Sequence, residues 1–400
     1  MAAKKRIVIT NVRLRDSRGG VRVVASQLVE KLKDDYDVTY VGFKPVDNFN
    51  GKLIVPIKER GEDTIKTSYP IPSKRMFNII NLSIFRFLIR NMFKGFVFFQ
   101  NILLVPEHLY ADVVISNSPY DISVLSGKTK FKIDYKAIIF VKHDTAIKFT
   151  KFYPNSLIKN KPFKVVALNS ADYSIFLKQY PKENVELIQD GLDIKESIDL
   201  NESDFEYINS LGINNENKVI LSVGRLEDTQ KGFSFGIKAM NLLKDKYPSL
   251  RYVIAGKGPN IEMYENLISK YNLEDEVKLL GYVTDEQKYS LFRRADIFLL
   301  PSSKETFGLA IIEAMHFGKP IITTKNEGSI DIIKEGYNGF FAERNENDIA
   351  NKVEKVLSLN KTKLAVIRKN SIKVSEIFSA ENMVGTYKKI IINLVSKLST

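Results

Sequence analysis

Cysteine is absent from this 400-residue chain, which excludes disulfides and any thiolate metal site. Histidine is scarce. His108, His143 and His316 are the only three, too scattered to suggest a zinc centre; no metal site and no cofactor is expected. No window reaches the ~18 to 20 uninterrupted apolar residues of a membrane-spanning helix. Lys4-Lys5-Arg6 ahead of Ile7-Val8-Ile9-Thr10 imitates a signal peptide, but the apolar stretch is far too short and reads as a first strand. There is no internal repeat and no low-complexity tract. These absences agree with a cytoplasmic location.

Acidic residues are missing from one long stretch. From Thr64 to Pro106 there is none, whereas Lys66, Lys74, Arg75, Arg86, Arg90 and Lys94 are interleaved with phenylalanines and aliphatic residues. A basic helix lying on an anionic membrane surface fits this pattern; so does a core helix with a basic outer face. The charge is uneven along the whole chain. Residues 1–195 hold 32 Lys and Arg against 19 Asp and Glu, and residues 196–400 hold 28 against 28, so the entire net charge of +13 lies in the first half. A basic half suits nucleic acid, an anionic membrane or an anionic substrate.

The length suits two domains rather than one core, and the 44% hydrophobic content is that of an ordinary globular protein. Strand-like and helix-like segments alternate, as βα units do. Strands are expected at 7–10, 37–42, 112–116, 137–141, 164–168 and 185–188, with an amphipathic helix over 21–32. After a polar stretch at 193–204 the alternation restarts, with strands at 219–223, 252–255, 277–280, 297–300 and 321–323. A closing helix is expected over 380–398. The reading is an α/β chain with two mostly parallel sheets and a hinge near 195.

One segment carries definite chemistry. Ala295 to Leu300 is an apolar run stopped by Pro301, the pattern of a buried strand and its exit turn. Leu309 to Phe317 has helical spacing and ends at Gly318-Lys319-Pro320. Glu305 therefore sits in the loop at the strand's carboxyl end, the amides of Phe307, Gly308 and Leu309 open the helix, and Glu313 lies just inside it. Open α/β sheets bind ligands at that edge. Free amides at a helix start favour an anion such as a diphosphate, and carboxylates accept hydrogen bonds from vicinal hydroxyls. A nucleotide sugar has both features.

The segment resembles the signature of the retaining glycosyltransferases of family 4, the "group 1" family with a GT-B fold. Other pieces are similar in the same order: Ser222-Val223-Gly224-Arg225-Leu226 with Lys231-Gly232, Ala255-Gly256-Lys257-Gly258-Pro259, Gly281-Tyr282-Val283, Gly328-Ser329 and Gly336-Tyr337-Asn338-Gly339-Phe340. The likeness is dense over 217–356. Upstream it rests on Arg18-Gly19-Gly20-Val21, His143-Asp144, Asn169-Ser170 and Asp190-Gly191.

The resemblance implies two Rossmann-like domains with a ligand cleft between them: an acceptor-binding domain at 1–195, joined by the closing helix 380–400, and a nucleotide-sugar-binding domain at 196–379. It implies transfer of a sugar from a UDP- or GDP-linked donor with retention of configuration and without a metal, to a glycan, lipid or lipid-linked acceptor. Arg225 and Lys231, with Gly20, would hold the diphosphate; Glu313 would hold the ribose; Tyr282 and Val283 would lie near the base. Glu305 and the Phe307 and Gly308 amides would hold the sugar, and His143 would bond a sugar hydroxyl or act as a base, unless it is structural. Gly19-Gly20 also reads as an ordinary turn. Asp190 stands where the family usually has asparagine, and Lys257 where it often has an acid.

Asp35-Tyr36-Asp37 spells the D-x-D of metal-dependent glycosyltransferases, but it falls at the end of the first helix and reads as a surface turn. Competing classes are a glycan phosphorylase or nucleotide-sugar epimerase on the same frame, and a nonenzymatic binder of anionic surfaces. Nucleic acid is not the expected partner, because the basic excess is absent from the half that carries the glutamate pair. The expected location is the cytoplasm, with peripheral docking on the inner face of the membrane through residues 64–106.

Overall fold

A computed structural model of the chain describes residues 4–11, 20–42, 52–54, 107–117, 121, 125, 131–143, 157–158, 160–194, 197 and 199–398. The basic stretch 64–106 expected to meet a membrane, together with Gly19 and Asp144, lies outside the described residues.

Two sheets organise the chain. In the first, β1 (Arg6–Asn11), β2 (Asp37–Gly42), β3 (Lys52–Ile54), β4 (Glu107–Ser116), β5 (Phe131–Val141), β6 (Phe163–Ala167) and β7 (Val185–Leu187) stand in the order β3-β2-β1-β4-β5-β6-β7. In the second, β8 (Lys218–Val223), β9 (Leu250–Ala255), β10 (Val277–Gly281), β11 (Ile297–Leu300), β12 (Ile321–Thr323) and β13 (Gly339–Phe341) stand in the order β10-β9-β8-β11-β12-β13. Every neighbouring pair of the second sheet is parallel. By internal packing the chain divides into two compact units, residues 1–166 with 387–400, and residues 167–386. No helix among the described residues is long and apolar enough to cross a membrane.

The strands expected from apolar runs are present, and several are longer. β5 extends the expected 137–141 back to Phe131, because Lys132, Asp134 and Lys136 alternate with Ile133, Tyr135 and Ala137, the former exposed and the latter buried. That period of two marks a strand with one wet face, and charges on the wet face hid it from a search for apolar runs. Its partner β4 extends back alongside it, from Glu107 opposite Phe131 to Ser116 opposite Phe140. The three-residue strands β3 and β13 were not expected; each stands at an end of its sheet, and runs so short carry almost no periodicity.

In the second unit the core forms where helices meet the sheet. Phe292 stacks on Phe317 with ring centroids 5.6 Å apart and lies 5.7 Å from Phe298 of β11. Full burial of each such ring contributes roughly 1.5–3 kcal/mol. Tyr252 of β9 is fully buried, its hydroxyl 2.8 Å from Ser222 Oγ, and Gly236 leaves the space its ring fills, since a Cβ there would meet the phenolic oxygen at 2.7 Å.

Local signals set the helix ends that matter. Thr284 and Gln287 form a reciprocal capping box at the start of helix Asp285–Arg294, as Asn201 and Asp204 do for helix Glu202–Ser210. Helix Leu309–His316 is followed by Gly318 at φ 64°, a left-handed residue that lets the Gly318 and Lys319 amides return to Met315 and Ala314. The expected closing helix is Ala380–Ser396, and in its final part Lys388 pairs with Asp35 at 2.5 Å. Asp35 thus lies in the turn before β2, and Asp37 begins that strand.

Candidate functional site

Because the second sheet is wholly parallel, the carboxyl ends of its strands share one edge, and the loops leaving them carry the residues singled out from sequence. β8 delivers Gly224 and Arg225, β9 delivers Gly256 and Lys257, β10 delivers Tyr282 and Val283, and β11 delivers Pro301 through Gly308. The loops are locked together by backbone. The Gly224 amide donates to Ala255 O, the Gly256 amide to Gly281 O and the Leu226 amide to Lys257 O. A Cβ on Gly256 would lie 1.7 Å from Gly224 O, and one on Gly258 would lie 2.3 Å from Leu226 O. Only glycine permits that approach.

Lys231 closes the short helix Asp228–Lys231, and Gly232 turns the chain at φ 67° into helix Phe233–Leu243. Its ammonium donates to Glu305 Oε1 at 2.6 Å, with the lysine side chain 16% and the glutamate 9% exposed. The loops bearing the two residues are stitched along their length. The Ser303 amide donates to Gln230 O, Ser303 Oγ to Thr229 O, and Gln230 Nε2 to Lys304 O. Arg344 bridges the same loops, giving Nη2 to Asp228 O at 2.7 Å and Nε to Pro301 O at 3.2 Å. Sequence reasoning missed Arg344; it lies beyond β13 with no motif to flag it.

Glu305 is held from below as well. A Cβ on Gly328 would meet Phe307 O at 2.6 Å and Glu305 O at 2.9 Å, so the Gly328-Ser329 turn seats this loop by close approach. Asn169 Nδ2 donates to Thr306 O at 2.8 Å. The Phe307 ring is buried, 5.3 Å edge-on from Phe378, which anchors the loop. Gly308 precedes the helix in a left-handed conformation (φ 103°) and offers no side-chain cap, so the amide end at Leu309 is not closed by a local oxygen.

Glu313 pairs with a lysine that the sequence did not flag. Lys288 of helix Asp285–Arg294 donates to Glu313 Oε1 at 2.7 Å and also pairs with Asp285 at 3.0 Å. Burial pulls the Lys288 pKa down, but the Glu313 carboxylate outweighs it, with Asp285 helping, and the ammonium is held above its ordinary value. Among the described residues Glu305 and Glu313 each have one side-chain partner, a lysine. Each carboxylate therefore keeps acceptor capacity for a ligand.

Arg225 stands apart. Its side chain is 63% exposed and lies 3.4 Å from Glu227, on the same loop edge but outside the lysine–glutamate pairs. Tyr282 is 59% exposed, with the Lys257 ammonium 5.6 Å from its ring centroid. Asp190 is buried, and burial pushes its carboxyl up to about 8. Gly191 beside it is pressed against Ser379, where a Cβ would lie 2.3 Å from the carbonyl oxygen.

Two expected residues belong to the first unit. Gly20 is the exposed first residue of helix Gly20–Leu32. His143 follows β5, and its Nε2 hydrogen-bonds Asn117 Oδ1 at 3.1 Å. Asn117 in turn bonds Thr10 O, and Thr10 Oγ1 and Ser116 Oγ both donate to the buried Asp121 carboxylate. The carboxyl ends of β1, β4 and β5 are thus tied into one network that includes His143. Among the described residues no cluster of His, Asp and Glu could hold a metal ion.

Residues 203–374 match the family model of the group 1 glycosyl transferases. Over 182 residues, 44% of this chain, the sequence is 35% identical to an uncharacterized glycosyltransferase of Methanocaldococcus jannaschii. Over 190 residues, 45% of this chain, it is 30% identical to the mannosylfructose-phosphate synthase of Agrobacterium fabrum. The matched stretches span 46% and 41% of those relatives, less than half their length. Two solved structures align over nearly the whole chain. A glycosyltransferase from Rickettsia africae aligns over 98% of this chain and 99% of its own with a TM-score of 0.72 at 19% identity. Anabaena HepE, in complex with UDP and glucose, aligns over 97% and 99% with a TM-score of 0.69 at 18% identity. The fold is that of the GT-B glycosyltransferases, with two Rossmann-like domains.

Proposed function

We propose that the protein is a retaining, metal-independent glycosyltransferase. It moves a sugar from a UDP- or GDP-linked donor to a lipid or lipid-linked acceptor. The observation that carries this reading is the pair of carboxylates, Glu305 and Glu313, each held by one lysine, on either side of an uncapped helix start at the carboxyl edge of a parallel sheet. Anion-favouring amides between two hydroxyl-accepting carboxylates complement a diphosphate flanked by a ribose and a sugar. In this reading Glu313 takes the ribose, Tyr282 and Val283 the base, Glu305 with the Phe307 and Gly308 amides the sugar, and the Leu309 amide at the helix start with Arg225 and Lys231 the diphosphate. Residues 196–379 serve the donor, and residues 1–195 with the helix over 380–400 serve the acceptor.

The reaction breaks the bond from the sugar's anomeric carbon to the diphosphate oxygen and forms one to the acceptor oxygen on the same face. The acceptor's proton passes to the departing phosphate oxygen, so no enzyme nucleophile is required. Negative charge grows on the diphosphate as its bond breaks, and preorganised cations act most strongly there. Lys231 suits this role, since among the described residues its ammonium has Glu305 as its one side-chain partner and an ammonium carries three donors.

Thermal-shift screening with UDP, GDP and their sugar conjugates tests the donor assignment, because a ligand at 100 times its Kd stabilises by ~2.7 kcal/mol. No shift with any of them removes the reading. Activity that survives a chelator supports the metal-independent mechanism, and strict dependence on added manganese or magnesium overturns it. The lipid acceptor rests on residues 64–106 and their basic, acid-free sequence. Absence of binding to anionic vesicles at low salt leaves a soluble acceptor in its place.

A further inference from the structure

Lys288 is not part of any motif that the sequence offered, yet it joins the two halves of the proposed nucleoside site. It lies on helix Asp285–Arg294, which begins directly after the Tyr282-Val283 turn and is started by the Thr284–Gln287 capping box. Its ammonium reaches across to helix Leu309–His316 and meets Glu313 Oε1 at 2.7 Å. The Lys288 and Glu313 side chains are 18% and 15% exposed, so the pair is largely shielded from water. The far end of the lysine's helix is fixed independently, by Arg293 on the buried Asp204 carboxylate at 2.9 Å. Lys288 therefore projects from a helix held at both ends.

A half-buried glutamate beside an anionic ligand faces two difficulties. Its own charge repels the ligand's, and its side chain has torsional freedom to lose when it binds. Lys288 answers both. It neutralises the carboxylate and occupies one oxygen, leaving the other to accept from hydroxyls in a defined direction. Asp285, 76% exposed and 3.0 Å from the same ammonium, is screened by water and competes weakly.

Resting on the reading of Glu313 as the ribose acceptor, we propose that Lys288 is a positioning residue for donor recognition: it orients Glu313 so that binding of the nucleotide depends on the ribose hydroxyls. The lysine acts through Glu313 and links the base-side turn to the ribose carboxylate in one rigid unit. Glu313→Gln and Lys288→Met should then damage the same feature of binding, and their effects should not add.

The experiment compares UDP and GDP with their 2′,3′-dideoxy analogues by isothermal titration of wild type, Lys288→Met, Lys288→Arg, Glu313→Gln and the Lys288→Met/Glu313→Gln double variant. In wild type, removing the ribose hydroxyls is expected to weaken binding by about tenfold to a hundredfold, the loss of hydrogen bonds to a charged group. In Lys288→Met that ratio should fall to near unity, Lys288→Arg should restore part of it, and the double variant should match Glu313→Gln. The double variant carries no unpaired buried charge, so it reports even where Lys288→Met folds poorly. Loss of the ratio in Glu313→Gln with full retention in Lys288→Met overturns the role of Lys288 and leaves the ribose site standing. A wild-type ratio retained in Glu313→Gln overturns the ribose assignment itself. Equal weakening of both nucleotide forms in Lys288→Met shows a merely structural lysine and also defeats the proposal.

Discussion

Three ion pairs in the second unit look alike by distance and differ in what surrounds them. Arg293 and Asp204 are the most buried, with side chains 5% and 2% exposed, and the Asp204 carboxylate is fully employed. It accepts from Arg293 Nη1, from Ser290 Oγ and from the Asn201 amide of its capping box. Lys231–Glu305 and Lys288–Glu313 are slightly shorter, at 2.6 and 2.7 Å against 2.9 Å, yet each glutamate has a single side-chain partner among the described residues. A carboxylate whose lone pairs are all satisfied by protein is a fastener. One satisfied on one side only, at the carboxyl edge of a parallel sheet, has capacity for a ligand.

The largest effect expected from this contrast is on stability. Asp204→Ala strands a buried guanidinium and should cost about 3–5 kcal/mol, measured by urea unfolding. Replacing both partners, as Asp204→Leu with Arg293→Met, should recover much of the loss. A single substitution that costs less than about 1 kcal/mol breaks the distinction.

Lys231→Ala should instead spare the fold and lower turnover at saturating donor by on the order of a hundredfold or more. A melting temperature that falls as far as in Asp204→Ala, with turnover preserved, would put Lys231 among the fasteners.

Lys319 sharpens the comparison through pH. It is more deeply buried than Lys288, and its ammonium donates to the Arg293 carbonyl at 2.7 Å rather than to a carboxylate. Burial, then Arg368, lowers its pKa; Asp296 opposes and Arg294 adds, leaving it at about 7. Because this value lies below that of an unfolded lysine, the unfolded chain binds more protons between about pH 7 and 10.5, and stability rises with pH across that window. The penalty is fully present below about pH 7. Lys319→Met should remove this rise, as seen by comparing urea midpoints of variant and wild type from pH 6.5 to 10; parallel curves would show that Lys319 titrates normally.

The smallest effect belongs to the exposed pair. Arg225 and Glu227 lie 3.4 Å apart with side chains 63% and 37% exposed, and Glu227→Ala should change stability by no more than about 0.5 kcal/mol. A larger loss would mean that the outward position of Arg225 is itself structural.

Much of this site was legible in the chain. Pro301 after an apolar run marked the end of β11, Gly308 and Gly318 bracketed the helix, and the Glu305 and Glu313 positions followed from those ends. Gly224, Gly256 and Gly258 stood out as turns, although the reason for two of them, that a Cβ on Gly256 or Gly258 would meet a carbonyl oxygen at 1.7 or 2.3 Å, is visible only in space. Lys288 and Arg344 were invisible, because a lysine on a charged helix and an arginine after a short strand look like any solvated residue. The front half of β5 was missed for a related reason: its wet face carries charge at every second residue.

By itself the sequence determined the alternation of strands and helices, the positions of their ends and the two carboxylates that bracket a helix start, because apolar runs, proline and glycine act on neighbouring residues. Tertiary structure alone decided which lysine neutralises which glutamate. Lys231 lies 74 positions from Glu305, and Lys288 lies 25 from Glu313. Those pairings arise because a parallel sheet brings the carboxyl ends of distant strands to one edge, and no pattern of local spacing encodes that convergence.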